Sequence, residues 1–175
     1  MIGAGKLVIQ LGKIQSALKD PSYINDAGQF VRSAAVMLAP VGLGPSSGDL
    51  RSSIQMRSYQ EDTGAYVAEV YTRKEYAHYV ELGTGPKGAA NHAGISPEVS
   101  PSYTPSPWWI HESQLDIGVA QMYHWNYIDT PDGRFYICYG QAAQPFMYPA
   151  LKDNEQTVLD ILRGGYQEAI RGAVR

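Results

Sequence analysis

With one cysteine, Cys138, in 175 residues, the chain cannot form an internal disulfide, and its fold can form in a reducing compartment. Long apolar runs are missing too. No stretch approaches the ~18 residues that a membrane span needs, and the apolar piece at 6–11 is broken by Gly12 and Lys13 too soon for a signal peptide. The expectation is a soluble chain that is not exported by the usual route and has no membrane partner. Cations are scarce: 14 Lys and Arg against 17 Asp and Glu lack the basic surplus of proteins that grip phosphate backbones, which disfavours sequence-independent DNA binding. Charged residues are only 18% of the chain and apolar residues 44%, which excludes a disordered tail. One domain over residues 1–175 is expected, with a long loop and insertion at about 86–141.

The charges are unevenly placed. Residues 61–133 hold three cations, Arg73, Lys74 and Lys87, against ten acids, a net of −7, while the flanks carry eleven cations against seven acids. Acidic middles meeting the basic flanks of neighbouring copies is one reading, and a solvated acidic face is the plainer one.

Periodicity supplies the element plan. Ile24, Ala27, Val31, Ala34 and Leu38 fall at helical spacing after Asp20 and Pro21, which suit an N-cap and a first helical position. Leu7, Leu11, Ile14 and Leu18 keep the same spacing, although a strand start before Gly12 is equally compatible. Residues 41–49, rich in Gly, Pro and Ser, predict a loop. Alternation at Leu50, Ser52, Ile54 and Met56, and again at Tyr66, Ala68, Val70 and Thr72, predicts two antiparallel strands around Thr63-Gly64. Residues 75–82 read as a short helical turn ended by Gly83. The five prolines between 84 and 107 predict an exposed, mobile functional loop. Residues 108–112 read as a strand, then a helix capped by Ser113. Residues 125–128 and 135–139 form a hairpin around Asp132-Gly133, and a C-terminal helix is interrupted or bent at Gly164-Gly165.

Catalytic patterns are thin. Gly83-Thr84-Gly85-Pro86-Lys87-Gly88 matches G-x-G-x-x-G literally, but a dinucleotide site needs a strand before it and a long helix after it, and neither is expected here. His78, His92, His111 and His124, with Glu112, Asp116 and Cys138, supply metal-ligand types without ligand spacing, and H-E-x-x-H is absent at His111-Glu112. Ser113 or Cys138 beside His111 or His124 offers no recognisable nucleophile context. No reaction, cofactor or metal is expected. The oddity is tyrosine, 13 residues beside three Trp. Tyr76, Tyr79, Tyr103, Trp108, Trp109, Tyr123, Trp125 and Tyr127 are too dense for core packing alone and point to an interface.

Three segments stand in order along the chain. Ala39-Pro40 is followed by Ser47-Gly48-Asp49-Leu50-Arg51-Ser52-Ser53-Ile54. Tyr76-Ala77-His78-Tyr79-Val80-Glu81-Leu82-Gly83-Thr84-Gly85 comes next, and Gln144-Pro145-Phe146-Met147-Tyr148-Pro149-Ala150-Leu151 last. Together they resemble the phage head–tail joining proteins, also called tail-completion or neck proteins, typified by the gene-product-ten-like proteins of lambdoid siphophages. Their patterns are similar to A-P-x-x-T-G-x-L-x-x-S-I, Y-A-x-x-V-E-x-G-T and Q-P-F-x-x-P-A-L. Residues 86–141 are longer than the equivalent in a typical member.

The resemblance implies an α+β fold, with a curved antiparallel sheet packed by a long helix in the N-terminal half and a C-terminal helix. It also implies a non-catalytic virion protein, a ring expected to be six-fold, placed between portal-side connector and tail-tube proteins. DNA would pass through its lumen without specific binding. Candidate interface residues are Tyr76, Tyr79, Glu81, Gly83, Thr84, Gly85, Trp108, Trp109, Pro145, Phe146 and Pro149. Two other classes remain open: a receptor- or glycan-binding tail module using the Trp-rich loop, and a metal-dependent hydrolase, which would require the histidines to converge.

Overall fold

A computed structural model describes residues 22–43 and 47–174. The helical spacing at Leu7 to Leu18 and the Asp20-Pro21 helix start lie outside the described residues. In chain order the elements are α1 (Ser22–Leu38), α2 (Asp49–Ser53), β1 (Gln55–Gln60), β2 (Tyr66–Tyr71), α3 (Ala77–Leu82), α4 (Gly85–Ala90), β3 (Trp108–His111), α5 (Ile117–Met122), β4 (Tyr127–Thr130), β5 (Gly133–Cys138), α6 (Met147–Lys152) and α7 (Glu155–Val174). The class is α+β with antiparallel strands, as expected. In place of one curved sheet the strands form two open sheets, β1-β2 and β3-β5-β4, because β3 finds its partner in the hairpin that follows it. No helix among the described residues is long and apolar enough to cross a membrane.

The described residues divide into two compact units, the first made from residues 22–34, 55–71 and 150–174. Within it α1 is turned by about one residue from its predicted face. Tyr23, Ala27 and Gly28 are buried, while Ile24 is only half-buried. Close approach accounts for the buried glycine: a Cβ on Gly28 would stand 2.7 Å from the Ala68 Cβ and 3.1 Å from the Met56 Cγ, so the helix meets the hairpin closely there. β1 and β2 pair from Gln55↔Tyr71 to Gln60↔Tyr66. The first strand starts later than its alternation predicts, since residues 49–53 are helical. Gly64, at φ 84°, lets the turn close through the Glu61 N–H, which donates to the Ala65 carbonyl.

Helix α7 runs 20 residues without the expected break at Gly164-Gly165. The second of these glycines has another purpose. A Cβ there would collide with the Tyr23 side chain, and the Tyr23 and Tyr166 rings lie 4.6 Å apart beside it. Leu151, the last residue of the third motif segment, belongs to α6.

The second unit comprises residues 35–54 and 72–149. Its buried side chains include Leu50, Ile54, Tyr136 and Phe146. α2 serves the end of α1: the Arg51 Nε donates to the Ala39 carbonyl (2.6 Å) and its Nη2 to that of Met37 (3.3 Å), placing a cation on C-terminal carbonyls that lack helical partners. β3 pairs with β5 from Trp108↔Cys138 to His111↔Phe135, and β4 with β5 from Tyr127↔Tyr136 to Thr130↔Gly133. Pro131 and Asp132 thus form a two-residue turn before Gly133, at φ 120°, as the Asp-Gly pair predicts. α5 is capped by Asp116, whose carboxylate accepts from the Val119 N–H, while Ser113 sits in the short 3₁₀ turn Glu112–Gln114.

Candidate functional site

The second and third motif segments lie about 60 residues apart and meet at one side chain. The Glu81 Oε2 accepts from the Phe146 N–H (2.7 Å) and the Met147 N–H (2.9 Å), and its Oε1 accepts from the Tyr148 N–H (3.0 Å). These are the first donors of α6, which no helical carbonyl can satisfy. The fourth does not exist, because Pro149 has no N–H. A carboxylate at a helix N-terminus also answers the helix dipole. Glu81 is therefore committed inside the unit, and Phe146, 1% exposed, is core. Neither is placed as the surface anchor that the sequence reading expects.

The Gly83-Thr84-Gly85 run follows from the same close packing. Gly83, at φ 79°, would drive a Cβ to 2.7 Å from the Ala143 N, and Gly85, at φ 59°, would drive one to 2.8 Å from the Trp108 ring. Between them Thr84 bridges Gln141: the Thr84 N–H donates to the Gln141 carbonyl (2.8 Å) and the Gln141 N–H returns to the Thr84 carbonyl (3.1 Å). Gln141 also sends its side-chain amide to the Tyr79 carbonyl (2.8 Å), and the Gln144 N–H donates to the Val80 carbonyl (2.8 Å). Sequence reasoning missed Gly140, Gln141 and Gln144. The run Gly140-Gln141-Ala142-Ala143-Gln144 carries no periodic or turn signal that would have exposed them.

The stretch 84–107 opens with the helix α4, which the sequence reading lacks, whereas 91–107 carry no helix or strand and are mostly exposed, as expected. Tyr103 anchors one point of it: its hydroxyl donates to the Leu82 carbonyl (2.7 Å), its ring stacks on His92, and a Cβ on Gly88 would meet it at 2.8 Å.

Of the candidate interface residues, Tyr76 (40% exposed), Tyr79 (51%) and Trp109 (49%) present aromatic surface to solvent. Trp108, Thr84, Pro145 and Pro149 are half-buried, and Gly83 and Gly85 are buried. Tyr76, Tyr79, Tyr103 and Trp108 line an open cleft of about 720 Å³. A second cleft, about 650 Å³, lies against the ends of β4 and β5 and is lined by Lys87, His124, Trp125, Asn126, Cys138 and Gln144 among others. His124 is the one non-glycine at positive φ (52°) among the described residues. It ends α5: its N–H donates to the Gln121 carbonyl and that of Trp125 to Ala120, a position that glycine fills freely and any L-residue fills at a cost of about 1 kcal/mol.

Chemistry-bearing residues do not converge. Among the described residues no group of three His, Cys, Asp or Glu could hold a metal ion. His92 Nδ1 meets the Gly88 carbonyl, and His78 packs on Tyr79. His111 Nδ1 lies 2.8 Å from the Ser113 Oγ, but it also accepts the Ser113 backbone N–H, so the pair caps a turn. The glycine-rich run follows one helix and opens another of only six residues with Pro86 in its first turn, which is no pyrophosphate cradle. Two guanidiniums have their pKa raised: Arg57 by the hydrogen bond to Glu69, and Arg134 by the hydrogen bond to Asp129.

Residues 10–83 match the family described as "Bacteriophage HK97-gp10, putative tail-component". No curated protein and no solved structure matches the chain. The matched span holds the first motif segment and the second as far as Gly83, and the third lies beyond it. Residues 10–83 are thus similar to a bacteriophage tail-component family, consistent with the resemblance of the motifs to phage head–tail joining proteins.

Proposed function

We propose that this protein is a structural part of a tailed phage or prophage virion that assembles as a ring at the head–tail junction, completes the tail end or neck, and acts by assembly alone. The observation that carries the reading is the tail-component family match over residues 10–83, ending in the segment whose Tyr76 and Tyr79 stand exposed. Two open sheets support it, because their unpaired edges are surfaces that neighbouring subunits cover in assembled rings. Portal-side connector and tail-tube proteins are the partners this placement requires. The acidic stretch 61–133 would let DNA pass a lumen without sticking. The test is deletion of the gene from a phage that carries it, read by electron microscopy. Filled heads and separate tails, rejoined by the wild-type protein, are expected, and normally joined particles overturn the proposal.

A second reading has one observation in its favour. The cleft of Tyr76, Tyr79, Tyr103 and Trp108 offers stacking faces of the kind that sugars and proline-rich peptides use. Saturable binding of the isolated protein to host cells would select a receptor-binding module instead.

A further inference from the structure

The cleft at the ends of β4 and β5 differs electrostatically from its surroundings. The second unit is acidic, with five cations against eight acids, yet Lys87 is the only Lys, Arg, Asp or Glu among the residues described as lining this cleft. No ion-pair partner for Lys87 occurs among the described residues. The same cleft is lined by His124, whose backbone has positive φ, and by the amide-bearing residues Asn126 and Gln144. A cation flanked by hydrogen-bond donors suits a carboxylate.

The same unit displays a matching carboxylate. Asp132 lies exposed in the two-residue turn of the β4–β5 hairpin, and its side chain has no partner among the described residues. Asp129 is already paired with Arg134 (2.9 Å). The turn is held in place, since the Asp132 backbone carbonyl meets the His111 Nε2 at 3.1 Å. The tip and the cleft occupy opposite ends of one hairpin. Gly133 begins β5 at the tip, and Ile137 and Cys138 line the cleft at its other end, about 13 Å away at the rise of an antiparallel strand. Asp132 therefore cannot reach Lys87 of its own copy.

We propose that the hairpin tip of one copy enters this cleft in the next, with Asp132 meeting Lys87 of a second copy of this chain. Each copy carries one tip and one cleft, so the contact is head-to-tail, the kind that closes into a ring when the rotation per step closes. The proposal rests on the ring reading above and deepens it by assigning a contact.

The test uses phage carrying full-length variants. Asp132→Lys and Lys87→Asp each put like charges in the contact and are expected to lower the yield of joined particles about tenfold or more. The double variant, with charges exchanged, recovers it. Both side chains are exposed, so the melting temperature of each purified variant should stay at the wild-type value. Treating wild-type particles with a zero-length carbodiimide should give an amide between Lys87 and Asp132, which at this separation forms only between copies. Normal joining by either single variant, or Lys87 linked instead to a carboxylate of a different virion protein, overturns the proposal. So does failure of the double variant to recover joining. If the gene deletion itself leaves joining intact, the head–tail reading falls, whereas a deletion defect with no Lys87–Asp132 link removes this contact alone.

Discussion

The two compact units are built by different means. In the first, packing is helix on hairpin and helix on helix, and the decisive positions are those where a side chain is missing: Gly28 against Ala68 and Met56, Gly165 against Tyr23. In the second, short elements that would not hold alone are joined by polar ties between residues about 60 positions apart, from Glu81 to the start of α6 and from Thr84 and Tyr79 to Gln141. Six-residue helices cannot sustain themselves in water, and a satisfied backbone donor or acceptor is what fixes each one. The difference teaches where each unit is fragile: the first at steric contacts, the second at individual hydrogen-bonded groups. It can be measured, because Trp108, Trp109 and Trp125 all lie in the second unit while the two longest described helices, α1 and α7, hold more than half of the helical residues among those described. Tryptophan fluorescence and far-UV circular dichroism therefore follow different parts of the chain.

The largest effect is expected at Gly140. Its φ is 70°, and an added Cβ would run into the Thr84 carbonyl and stand 2.9 Å from the Gly85 N, in the middle of the bridge between residues 84 and 141. Gly140→Ala combines backbone strain with a clash that no flexible side chain can absorb, so it should cost about 3 kcal/mol and bring the fluorescence transition to markedly lower temperature. An unchanged transition would mean that the bridge contributes nothing to the second unit.

Next comes Glu81. Removing the carboxylate leaves three N–H groups at the start of α6 without their acceptor, and Glu81→Ala should cost about 2 kcal/mol, with Glu81→Gln costing less because one amide oxygen remains to accept. Glu81→Lys brings a cation to the positive end of a helix and should be the worst of the three. By contrast Tyr79→Ala, at an exposed position, should melt near the wild type while impairing head–tail joining. If all the Glu81 variants melt normally, the residue is a surface anchor after all and the cap is incidental.

How much of this was legible in the sequence follows from how far apart the interacting groups are. The hairpin at Asp132-Gly133, the helical turn ended by Gly83 and the end of α1 at Leu38 were readable, because each is set by residues within a turn or two of one another. Residues 50–53 were misread as strand: Leu50 and Ile54 are buried as the alternation requires, but at helical spacing i, i+4, and four residues fit either pattern. Glu81 was singled out on its motif, but the backbone donors it meets were not foreseen, since nothing local announces a helix start 65 residues downstream. The cleft that holds Lys87 and His124 was likewise invisible, being assembled from α4, the end of α5 and the end of β5.

The smallest effect, and the sharpest contrast, belongs to two adjacent glycines in α7. Sequence pattern reads Gly164-Gly165 as one helix-weakening pair, yet the helix is continuous and the two sites face different surroundings. Nothing lies within 4 Å of a Cβ placed on Gly164, so Gly164→Ala gains the helical preference of alanine, about 1 kcal/mol, without meeting a neighbour. At Gly165 the same gain is opposed by the Tyr23 side chain, whose Cβ and ring base are held by a buried position on α1 and cannot swing aside. Overpacking of this kind typically costs about 1–3 kcal/mol, so Gly165→Ala should be destabilising by about 1 kcal/mol net. The two substitutions are chemically identical and one residue apart, which cancels any effect on the unfolded chain. Opposite shifts of the far-UV transition, upward for Gly164→Ala and downward for Gly165→Ala, are the expected result. Equal upward shifts would mean that α1 and α7 do not press together at Tyr23, and would leave the first unit held by its hairpin instead.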